Sequence, residues 1–152
     1  HQGKGYGVDF QFDKALTFNT WDAHRLIQWS KISNKSNDLK EALMHAYFSE
    51  GIDLSIHENL LSVVQNVGLD IEKAKLVLKT DSYSEEVEQD IYRAQQLGIR
   101  GVPFFLINGK ESISGAQSDE VFENVISSAL KNIESKKPST QEGICLPNGE
   151  CE

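Results

Sequence analysis

The sequence predicts an α/β fold in which a block of helices comes first and a β-hairpin with a closing helix comes last. Three features point that way. Apolar residues recur at helical spacing, between recognisable caps, from residue 19 to residue 98. One continuous apolar run, Val102-Pro103-Phe104-Phe105-Leu106-Ile107, then breaks the helical pattern and ends at Asn108-Gly109. From Ser118 onward the helical period returns.

In chain order, Val8-Asp9-Phe10-Gln11-Phe12 alternates apolar and polar residues, so residues 1–18 read as a short strand or an extended arm. Asn19-Thr20 opens the first helix. Asp22 is placed to accept the free amides of its first turn, Ala23, Leu26, Ile27 and Ile32 share one face, and the helix should run to about Ser33. The second begins between Ser36 and Asp38, carries Leu39, Ala42, Leu43, Ala46 and Tyr47 in one stripe, and stops at Gly51. Ser55 and Glu58 form a capping-box pattern for the third, with Leu60, Leu61, Val64 and Val67 inward before Gly68 ends it. Asp70 caps a short fourth helix through about Lys79. Ser82 or Ser84 starts a fifth, closed by Gly98.

The apolar run after Gly101 suits a strand buried on both faces. Asn108-Gly109 favours the positive φ values of a two-residue hairpin turn, and Lys110 to Ser114 supplies the returning strand. Ser118 caps a last helix with Val121, Phe122, Val125, Ile126, Leu130 and Ile133 inward. Beyond it, residues 135–152 are polar and turn-forming and read as a tail.

Composition excludes several classes of function. With 15 basic against 23 acidic residues, the net charge is −8, and no cluster of Lys and Arg is interleaved with aromatics. Nucleic-acid binding is therefore not expected, because phosphate neutralisation supplies most of such affinity. No apolar run approaches the roughly 18 residues of a bilayer crossing, so no membrane span is expected. The opening His1-Gln2-Gly3-Lys4-Gly5 lacks the basic and apolar regions of a secretory signal, and a cytoplasmic location is the expectation. The histidines His24, His45 and His57 match no zinc-ligand spacing, and no metal is expected.

Four features need weighing residue by residue. Pro103 sits at a strand start, where proline is permitted, and by frequency alone its peptide bond would be trans. A cis Val102–Pro103 bond would instead leave the Val102 amide and carbonyl facing solvent, where an extended peptide could pair with them. His24, beside Leu26 and Ile27, reads as a packed or capping residue, with substrate contact as the functional alternative. Asp22 reads as a first-turn helix carboxylate. The two cysteines, Cys145 and Cys151, both lie in the last eight residues, so no disulfide can staple the body of the chain. They flank Leu146-Pro147-Asn148-Gly149-Glu150, whose turn chemistry could bring the sulfurs together. A secondary redox pair and two independent tail thiols are both open.

Motif order carries a further reading. Asn19-Thr20-Trp21-Asp22-Ala23-His24-Arg25-Leu26, Ala46-Tyr47-Phe48-Ser49-Glu50-Gly51, Val67-Gly68-Leu69-Asp70, Gly98-Ile99-Arg100-Gly101-Val102-Pro103-Phe104-Phe105 and Ser114-Gly115-Ala116-Gln117 follow one another in the chain. Over residues 6 to 133 this resembles the DsbA-like thioredoxin family, specifically the FrnE branch of protein disulfide oxidoreductases. The resemblance implies a thioredoxin-like α/β fold in which residues 19–98 are a helical insertion and 99–134 form the C-terminal ββα half. It implies a cis proline before the strand, with Val102 and Pro103 holding substrate backbone beside the reacting sulfur. The activity implied is thiol–disulfide exchange on disulfide- or thiol-containing proteins, with no bound cofactor and glutathione as the candidate redox partner. Some FrnE-like proteins also carry a cysteine pair near the C-terminus, which is the counterpart of Cys145 and Cys151.

One departure is plain. Family members place a Cys-x-x-Cys at the amino end of a helix, where dipole and free amides favour the thiolate, and this chain contains none. The expectation is a fragment without the N-terminal βαβ part, holding no catalytic residue of its own and inactive alone. Such a fragment should expose an apolar sheet edge and self-associate through the hairpin. Two alternatives stand beside this reading. The same fold serves glutathione-dependent isomerases and kappa-type transferases, which use a lone Ser or Cys at the redox-helix position. The other alternative is a non-enzymatic interaction module.

Overall fold

A computed structural model of the chain describes residues 5, 7–13 and 16–134. They belong to two compact units, 1–97 and 98–152.

The first unit holds five helices: α1 (Trp21–Ser30), α2 (Ser36–His45), α3 (His57–Asn66), α4 (Ile71–Lys79) and α5 (Ser84–Gln96). Helix α1 packs against α2, α4 and α5, and α3 packs against α2 and α4. The core between them centres on Leu26, Leu39, Leu60 and Val64, none of which has any solvent exposure. Each such side chain stabilises the fold by about 1.5–3 kcal/mol relative to an exposed position. Gly51, closing the turn Ala46–Glu50 that follows α2, and Gly68, just past α3, take left-handed conformations that cost glycine little. Asp70 caps α4 as its position predicts, its Oδ1 accepting from the amides of Glu72 and Lys73.

Arg25 ties α1 to the far end of α4. The last carbonyls of a helix have no partner within it. Here the Arg25 guanidinium, 4% exposed, donates to the carbonyls of Val77 and Thr80, and its Nε donates to the Ser82 carbonyl at 2.9 Å. Its Nη1 meets Asp22 Oδ1 at 2.8 Å.

Local competition corrects several expectations. Asn19, not Asp22, accepts the free amide of Trp21, because the Asp22 carboxylate is drawn to Arg25 one turn along. Ile32 is 74% exposed, since Lys31–Ser33 tightens into a 3₁₀ turn that rotates it off the α1 face. The Ser55–Glu58 capping box does not form. Ser55 donates its hydroxyl to Asp53 at 2.6 Å, the ionised carboxylate being the stronger acceptor, and α3 begins behind Ile56. Residues Val8–Phe12 are not a strand. Phe10 and Phe12 stack at 5.1 Å between ring centres, and the Gln11 amide donates to the Phe48 carbonyl, so this arm lies on the end of α2. There Ala46–Glu50 widens into a π turn that carries Tyr47 and Phe48, both half-buried, Tyr47 against the core.

The second unit is a hairpin and a helix. Strands β1 (Phe104–Ile107) and β2 (Glu111–Ser114) pair antiparallel, Phe104 opposite Ser114 and Ile107 opposite Glu111, and β2 packs on α6 (Asp119–Glu134). Asn108 and Gly109 both take positive φ, and the Lys110 amide closes the turn on the Ile107 carbonyl. Lys110 itself stays outside the ladder, so the returning strand starts at Glu111. The expectation of a strand buried on both faces fails among the described residues. Strand β1 has one partner, and Phe105 is exposed although its ring meets Phe122 edge to face at 4.9 Å. The inward face expected of α6 is only partly covered, Phe122 and Val125 being half-buried, because it is wider than a two-stranded sheet. Ala129 is buried, whereas Val121, Ile126, Leu130 and Ile133 are exposed.

Candidate functional site

The start of β1 presents backbone rather than side-chain chemistry. The Val102–Pro103 peptide is cis. The Gly115 amide donates to the Pro103 carbonyl at 2.8 Å, which extends the ladder one position beyond Phe104 and Ser114. Gly115 is left-handed there, and Gln117 Nε2 donates back to the Ser114 carbonyl at 2.9 Å, which fixes the facing segment. Val102 is 89% exposed and joins no hydrogen bond among the described residues. An exposed amide and carbonyl at the end of a ladder can take an extended peptide as a further strand.

In the helical unit His24 is not packed, contrary to the sequence expectation. It lies on an exposed face of α1, its ring bonded to nothing described, on a ridge between two cavities. On one side is an apolar cavity of about 420 Å³ between α1, α2 and residues 16–18. On the other is a groove between α1 and α5, where Gln28 Nε2 donates to Asp90 Oδ2 at 2.6 Å. Periodicity missed both, because a wall is assembled from residues far apart in the chain.

A second arrangement also escaped the sequence. His57 Nε2 lies 2.8 Å from Asp22 Oδ2, while Asp22 Oδ1 holds Arg25, so one carboxylate links α1, the start of α3 and, through Arg25, the end of α4. Thirty-five positions separate Asp22 from His57, and no spacing rule joins them. Among the described residues no three His, Cys, Asp or Glu side chains are placed to hold a metal ion. No described helix is long and apolar enough to cross a membrane. Cys145 and Cys151 lie outside the described residues.

The chain belongs to the family of DSBA-like thioredoxin domains, whose model matches residues 1–127. It is 31% identical over 127 residues to the uncharacterized protein YwbO of Bacillus subtilis (strain 168), a match covering 82% of this chain and 63% of that protein. Among solved structures it is similar to the crystal structure of probable DsbA oxidoreductase SCO1869 from Streptomyces coelicolor. That match has a TM-score of 0.81 at 29% identity and covers 99% of this chain and 64% of the other. The chain thus spans just under two thirds of the length of each relative. Its fold is the thioredoxin-like α/β fold of this family, rich in helix, with a small antiparallel sheet among the described residues, and the family is one of thiol–disulfide oxidoreductases.

Proposed function

We propose that these 152 residues supply the substrate-holding side of a FrnE-type thiol–disulfide oxidoreductase, with Val102 and Pro103 pairing to the backbone of a protein or peptide disulfide. The supporting observation is the exposed, unpaired backbone of Val102 at the end of the β1 ladder. The exchange itself needs a thiolate that attacks one substrate sulfur, expels the other as thiolate, and leaves a mixed disulfide for a second thiol to resolve. A Cys-x-x-Cys pair is absent from the sequence of this chain, so the family's usual attacking dithiol is not among these residues, and the chain alone is expected not to turn substrate over.

The test is insulin reduction and peptide-disulfide exchange by the natural gene product beside the 152-residue chain. The gene product should turn over and the chain alone should not. Val102→Pro in the gene product removes one amide donor, and should raise KM for a peptide disulfide about tenfold, the worth of one backbone hydrogen bond. Its rate with a small disulfide such as hydroxyethyl disulfide, which has no backbone to pair, should hold. Equal losses on both substrates would sink the pairing role. A natural gene product bearing a lone Ser or Cys in place of the pair would point instead to the glutathione-dependent class.

A further inference from the structure

The apolar cavity of the helical unit carries a binding reading that needs no thiol. Its walls are Ala23 and Ile27 of α1, Leu43 of α2, Tyr47 and Phe48 of the π turn, and Phe18 before α1. A volume of about 420 Å³ is within the range of small-molecule sites, which combine apolar walls with a few placed polar groups. The aromatic walls are fixed: Phe18 and Tyr47 meet edge to face at 5.4 Å, and Tyr47 Oη donates to the Leu16 carbonyl at 2.9 Å.

Two basic side chains, Lys40 and His24, border the same cavity, and neither forms a hydrogen bond or ion pair among the described residues. Among the described lysines, Lys35, Lys73 and Lys75 each pair with a carboxylate three residues away in the chain, whereas Lys40, like Lys31, Lys79, Lys110 and Lys131, does not. No acidic side chain lines the cavity, although the chain as a whole carries a net charge of −8. An unpaired ammonium at the rim of an apolar, acid-free cavity selects an apolar body with one negative end. We infer that this cavity binds an amphipathic monocarboxylate, its apolar body between α1 and α2 and its carboxylate on Lys40, with His24 beside it.

Titration calorimetry with decanoate tests this, with decanol as the uncharged counterpart of the same tail. Decanoate should bind one per chain and about fivefold more tightly than decanol, the upper range for an ion pair at a cavity mouth. Lys40→Met keeps the apolar stem and removes the charge, so it should erase that fivefold preference, and Lys40→Arg should restore it. Lys40 is exposed, and its variants should keep the fold, which far-ultraviolet circular dichroism checks. Thr17→Trp, on the exposed cavity wall, should block both ligands. Absence of saturable binding, equal affinity for acid and alcohol, or an unchanged preference in Lys40→Met would each overturn the inference. So would binding to the 152-residue chain that disappears in the natural gene product, since the cavity would then be filled by protein.

Discussion

Arg25 shows how one side chain can hold a fold together through carbonyls rather than through a charge partner alone. The Val77 and Thr80 carbonyls at the end of α4, the Ser82 carbonyl just beyond it and the Asp22 carboxylate use its donors. Arg25→Met fills similar space but leaves those carbonyls and Asp22 without their partner, and should cost about 3 kcal/mol in urea unfolding. A loss below about 1 kcal/mol would mean that water replaces the guanidinium. Two carboxylates titrate against the fold. The Lys73 amide, foremost, holds Asp70 below its ordinary value of 3.8, and the Ser55 hydroxyl, then the Ser55 amide, do the same for Asp53. A carboxylate with a depressed folded pKa stabilises fully above its unfolded value, and that contribution is lost as pH falls through the folded one. Stability should therefore decline below about pH 3.8. Asp70→Asn keeps a cap but no longer titrates, so the gap in melting temperature between wild type and variant should narrow as pH falls from about 6 to about 2.5. A gap that stays constant would remove Asp70 from the acid response.

Helix α6 and strand β1 are the elements whose apolar residues exceed what their described neighbours cover. Phe105, Ile126 and Leu130 are exposed, Leu130 by 56%. We propose that the 152-residue chain self-associates through this hairpin-and-helix unit, and light scattering should show a species heavier than the 17.0 kDa monomer. Ile126→Glu with Leu130→Glu should shift it to monomer with the helical signal retained. A wild-type chain that is monomeric at high concentration would refute this. The elements differ in how far they could be read in advance. Helix α4 was legible because its cap, Asp70, has no stronger competitor. The start of α3 was not, because Asp53 outbids the helix for Ser55. The Asn108-Gly109 turn was legible because positive φ at both positions is a local requirement. The burial of β1 was not, because it depends on how many strands lie beside it.

At the scale of the whole molecule, periodicity was enough to separate a block of five helices from a ββα segment, and the chain passes from one unit to the other between Leu97 and Gly98. Motif order was enough to indicate the family, because helix stops, the Val-Pro step and the hairpin are all written in contiguous residues. The sequence by itself thus determined which elements form, roughly where they end, and the thioredoxin-like class to which they belong. Tertiary structure alone decided which polar groups meet: Asp22 with Arg25 and His57, Arg25 with the end of α4, Lys40 and His24 with an apolar cavity. Elements follow from interactions a few residues apart, which a linear pattern records. A carboxylate that chooses a distant partner over its own helix, or a cavity walled from several segments, follows from distances that no spacing along the chain contains.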